Sequence, residues 1–131
     1  MREIETTFVR NFIKPHRRER WLTCLATTKN RSKFLDGLNH CQDFDDRRIR
    51  NARTINQMQE ILRKHACEGE CYILSSDTKL DGRLVKLDAA VDMIKASGWG
   101  AVVVFCQGSF AYYIDECSER EFMLSLEDVV K

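Results

Sequence analysis

The sequence predicts an α+β fold: a basic N-terminal helical half of about four helices, packed with a C-terminal β-α-β-β unit that forms a small sheet. Two observations predict it. Apolar residues recur at helical spacing through the first half, and after Cys71 the rhythm turns to short apolar runs and alternation. The charge turns with it. Residues 1–66 hold fifteen Lys or Arg against eight Asp or Glu, a balance of +7, whereas residues 67–131 hold six against twelve, a balance of −6.

Ile4, Phe8, Phe12 and Ile13 define a first amphipathic helix. Pro15 disfavours helical geometry at Lys14 and suits the first turn of a second helix. That helix turns Trp21, Leu22 and Leu25 inward and shows His16, Arg17, Arg18 and Arg20 to one side. A third helix near 29–38 gives Phe34, Leu35 and Leu38 to the core and Lys29, Arg31 and Lys33 to the outside. Residues 41–53, CQDFDDRRIRNAR, have no clean period and read as a charged loop. Thr54-Ile55-Asn56-Gln57 matches a capping box, in which side chains satisfy the free amides of a helix start. The helix it opens carries Ile55, Met58, Ile61 and Leu62 on one face and ends at Gly69.

In the acidic half, CYILS (71–75) is a first strand, followed by a loop with a turn at Asp81-Gly82. Leu87, Ala90, Val91 and Ile94 restore helical spacing up to Gly98. Ala101 to Cys106 is a continuous β-branched and aromatic run, the mark of a strand buried on both faces. After Gln107-Gly108-Ser109, the alternation of Phe110, Tyr112 and Ile114 gives the second arm of a hairpin. The tail reads two ways: Ser118-Glu119-Arg120-Glu121 resembles a capping box, while EFMLSL alternates as a strand does.

At 131 residues the chain fits a single domain with a core that needs no metal or disulfide staple. The N-terminus lacks the apolar stretch of a secretory signal, and the longest apolar run, 101–106, is too short to span a bilayer. A cytoplasmic protein with no membrane partner is therefore expected. Its six cysteines are then reduced thiols, and Asn30-Arg31-Ser32 is an idle glycosylation sequon.

The segment HACEGEC, 65–71, brings His65, Cys67 and Cys71 close together, in an H-x-C-x3-C spacing. A structural zinc site needs four ligands, and the nearest others are the distant His40 and Cys41. The segment is better read as a joint, with His65 at a helix end and the cysteines as small hydrophobes. HCQDFDD, 40–46, sets His40, Asp43, Asp45 and Asp46 together without the glycine and alternation of a calcium loop. Arg47 and Arg48 follow at once, so a self-paired loop is expected. Cys106 ends a buried strand and would need an activating partner in space to act as a nucleophile. No Walker loop, dinucleotide fingerprint, HExxH or nucleophile elbow occurs. No cofactor and no resident metal are expected.

Three basic clusters remain: HRRER (16–20), KNRSK (29–33) and RRIRNAR (47–53). Guanidinium forks suit phosphate and carboxylate, so Arg17, Arg18, Arg20, Lys29, Arg31, Lys33, Arg47, Arg48, Arg50 and Arg53 are the candidate binding residues. Trp21 and Phe34 lie beside two clusters, but their helical spacing assigns them to the core. The expectation is a small, non-enzymatic binding protein that contacts a polyanion, nucleic acid first, through a basic helical face. The alternative is a protein–protein module, an immunity or regulatory factor, working through the acidic half. A thiol- or metal-dependent enzyme stands third.

Overall fold

Every strand of the single sheet runs antiparallel to its neighbour, in the order β2-β1-β3-β4-β5. The computed structural model describes residues 3–50, 70–116 and 120–126. The strands are β1 (Glu70–Ser75), β2 (Leu84–Lys86), β3 (Ala101–Phe105), β4 (Phe110–Ile114) and β5 (Glu121–Ser125). Helices α1 (Glu3–Phe12), α2 (Arg18–Ala26) and α3 (Thr28–Leu35) lie in the described part of the basic half, and α4 (Leu87–Ser97) carries the chain from β2 to β3. The fold is α+β, as the change of rhythm predicts.

Helix α1 places Glu3 and Glu5 in its first turn and Arg10 in its last, the charge order a helix dipole favours. It gives Phe8, Val9 and Phe12 to the core. Lys14 is extended, as the residue before a proline tends to be, and Pro15 opens a 3-10 turn (Pro15–Arg17) leading into α2. Thr27 leaves helical geometry and breaks α2 from α3. The predicted third helix is split, because after Leu35 the chain tightens into a 3-10 turn at Asp36–His40.

Strand alternation sorts the sheet into two faces, since successive side chains point to opposite sides. The cross-strand row Tyr72, Val104, Ala111 and Leu124 meets Phe8, Phe12, Trp21 and Leu35 of the N-terminal helices. The next row, Ile73, Val103, Tyr112 and Met123, belongs to a second core with Ala90 and Ile94 of α4. The sheet is thus covered on both faces, which is why β3 reads as an unbroken apolar run. Helix α4 stops at Gly98, which takes the left-handed conformation at φ 74°.

The predicted β-α-β-β unit is too small by two strands. The edge strand β2 is three residues long with Leu84 exposed, too short to show a period. The ambiguous tail resolves as strand: Glu121 opens β5, and the four residues after it are buried. The segment at 41–50 is more ordered than a plain loop. Ile13 bridges Phe44, and Ile49 bridges Leu124, so this stretch extends the sheet beside β5. The helix expected at 54–62, Arg53, Thr54, His65, Cys67 and Gly69 lie outside the described residues. Among the described residues, no helix is long and apolar enough to cross a membrane.

Candidate functional site

A groove of about 650 Å³ opens between α2, α3 and the segment 37–43. Its walls follow from how the sheet holds that segment. Tyr113 of β4 donates its hydroxyl to the Leu38 carbonyl at 2.6 Å and accepts from the Cys41 amide at 3.1 Å. Burial pushes the Tyr113 hydroxyl up to about 12, so it stays protonated and able to donate. The Gly100 amide donates to Asn39 Oδ1 at 2.6 Å, and Gly100 approaches the Leu38 backbone so closely that no Cβ fits there. Two hydrogen bonds from β4 and one from the residue before β3 therefore fix the turn that closes the groove.

Trp21, Cys24, Phe34 and Leu38 supply apolar lining, and Arg17, Arg20, Lys33 and His40 supply basic groups. Asp43 is the organiser. It accepts from Arg17 Nε at 3.2 Å and from the Trp21 indole nitrogen at 3.0 Å. The Asp43 carbonyl takes the Lys14 amide at 2.8 Å, which anchors the loop to the end of α1. Arg17 is thereby held through its inner nitrogen. Arg20 lies over the Phe34 ring at 6.0 Å, and Trp21 meets that ring edge-on at 5.0 Å. His40, at the rim, stands 3.4 Å from Glu116 and both side chains are exposed.

The candidate binding residues separate into three fates. Arg17, Arg20 and Lys33 come together at the groove, so members of the first two clusters converge. Lys29, on the same helix as Lys33, is exposed but does not line the groove, and Arg18 donates to the Ile13 carbonyl at 2.9 Å. The cluster at 47–50 works at the sheet edge. Arg47 pairs with Asp45 at 2.8 Å, Arg48 donates to the Leu126 carbonyl at 3.3 Å, and Arg50 donates to the carbonyls of Arg47 and Ser125. The Arg47 guanidinium holds the Asp45 carboxyl down at about 2, and the pair is the self-neutralised loop the sequence suggests.

Arg31 requires a correction. It is not an outward cation of α3 but turns in, donating to both oxygens of Glu5 and both of Asp81. Tyr72 donates to the same Glu5 carboxylate, and Asp81 also takes the Ser75 amide. Glu5 is buried on α1, where an isolated carboxylate is costly, so a cation has to reach it. Arg31 is the residue on α3 that does.

The thiol and metal readings gain no geometry among the described residues. Among the described residues no group of three or more His, Cys, Asp or Glu is placed to hold a metal ion. Burial pushes the Cys41 and Cys71 thiols up to about 12, which makes them inert packing groups. His65, Cys67 and the Cys106 side chain are outside what is described. Asp43 is the member of the groove that the sequence hides as an organiser. The one available signal was Trp21, since a buried indole N–H needs an acceptor. Comparison with known proteins finds no matching family model, no matching curated protein and no matching solved structure.

Proposed function

We propose that this chain is a non-enzymatic binding protein whose helical half contacts a polyanion, nucleic acid, through the groove between α2 and α3. The observation that carries the reading is the convergence of Arg17, Arg20 and Lys33 on one concavity, with Asp43 the one carboxylate among the described residues that line it. That carboxylate is itself engaged with Arg17 and Trp21. The groove therefore presents an excess of positive charge to a ligand, and guanidinium forks suit phosphate oxygens.

The test is filter binding to DNA and RNA over a range of salt. Phosphate contacts release counterions, so log affinity falls linearly with log salt, by about 0.7 per contact on a single strand and about 0.9 on duplex DNA. Joint replacement Arg17→Ala, Arg20→Ala and Lys33→Ala should weaken binding and flatten the slope by about 2 units. The melting temperature should fall only modestly, because the one ion pair removed, Arg17 with Asp43, is partly exposed and Asp43 keeps its bond to Trp21. Wild-type protein that retains neither DNA nor RNA at low salt removes the reading.

A further inference from the structure

We infer that the groove takes single-stranded nucleic acid, with a nucleobase seated on its apolar lining between two backbone phosphates; this rests on the polyanion reading above. A basic surface alone does not distinguish a duplex from a single strand. The arrangement of polar and apolar groups does. Phe34 and Cys24, both partly exposed, lie within the same concavity as Arg17, Arg20 and Lys33, with the buried Trp21 and Leu38 behind them. A duplex shows the protein phosphate ridges and keeps its bases stacked inside, so it leaves that lining unused. A single strand splays its bases out and stacks them on aromatic rings and guanidinium planes. Arg20 over the Phe34 ring puts one of each in the same place.

Size agrees. About 650 Å³ lies in the range of pockets that enclose a small organic ligand, and is far too small for the girth of a double helix. Space at the rim also has a structural cause. Gly37 lines the groove, and a Cβ added there would meet no atom within 4 Å. Its φ is not in the left-handed region, so conformation does not demand glycine at this position. A larger side chain could be accommodated by the fold, and it would project into the space a base needs.

Gly37→Leu is therefore a test that leaves every charge in place. Affinities for a 12-nucleotide single strand and for the duplex of the same sequence are measured at one salt concentration, with thermal melting alongside. The expected result is at least tenfold tighter binding of the single strand by wild type, and roughly tenfold loss of that affinity in Gly37→Leu at unchanged melting temperature. Phe34→Leu, which keeps bulk and removes the stacking ring, should lose single-strand affinity to a similar extent, roughly tenfold. Equal wild-type affinity for duplex and single strand, or full single-strand affinity in both variants, overturns the inference and leaves polyanion binding standing. Retention of neither nucleic acid by wild type overturns both.

Discussion

Arg31 on α3 grips Glu5 on α1 with two parallel hydrogen bonds, Nη1 to Oε1 at 2.8 Å and Nη2 to Oε2 at 2.5 Å. The same guanidinium reaches Asp81 before β2 through Nε at 2.6 Å, and Tyr72 of β1 closes the network on Glu5. Two helices and the β1–β2 turn are thus joined through one cation. The rotation of α3 that buries Arg31 is also the one that aims Lys33 and Phe34 at the groove.

Removing one partner weakens a network whose most buried member is the Glu5 carboxylate. Glu5→Ala leaves Arg31 with Asp81 alone and takes one acceptor from Tyr72, and should cost about 2–4 kcal/mol. Arg31→Ala should cost a similar amount, and the double variant much less than the sum, because the two share one interaction. Urea denaturation of the four proteins in the cycle checks this. Additive losses would show that the pair is not coupled.

Asp45 sets a pH dependence. Its folded carboxyl titrates at about 2, chiefly because Arg47 donates to it, against about 3.9 for an unperturbed aspartate. A depressed folded value means the contribution is present in full above about pH 4 and is lost as pH falls toward 2. The melting temperatures of wild type and Asp45→Asn should therefore converge between pH 4 and about 2. A gap that stays constant over that window assigns the effect elsewhere.

Two glycines should respond in opposite ways. Gly100→Ala would drive its methyl into the Leu38 carbonyl and within 2.6 Å of the Asn39 amide. Backbone must shift there, and a loss of about 2–4 kcal/mol is expected. Gly37→Ala meets open space, and should be neutral or stabilising by a few tenths of a kcal/mol. Thermal melting of both variants decides.

The thiols should label in order of access. Cys24 is partly exposed, whereas Cys41 and Cys71 are buried and titrate near 12. In native protein at pH 8, iodoacetamide should modify Cys24 and spare Cys41 and Cys71 until denaturant is added. Peptide mapping showing early modification of Cys41 would contradict its place beneath the groove.

The arginines at 47–50 should act on stability rather than on binding. Arg48 and Arg50 bond to backbone oxygens beside β5 and Arg47 pairs with Asp45, so Arg47→Ala, Arg48→Ala and Arg50→Ala together should lower the melting temperature measurably. Unchanged melting with weakened nucleic-acid binding would return this cluster to the binding surface.

By itself the sequence determined which segments are helix and which are strand wherever periodicity is long. Phe8 and Phe12, Ala90 and Ile94, and the run at 101–105 all fall where local spacing puts them. It also marked basic residues that could meet an anion, of which Arg17, Arg20 and Lys33 do line one groove. What it could not carry is anything that depends on a partner distant in the chain. Lys33 and Arg31 look alike along α3, yet one lines the groove and the other is committed to Glu5, 26 residues away, and Asp81, 50 residues away. Strand β2 forms because β1 offers it an edge, and the tail that reads two ways becomes β5 because β4 offers it one. Only tertiary structure decided these, since burial and pairing are energies between elements, and they override local preference wherever a charge must find its counterpart.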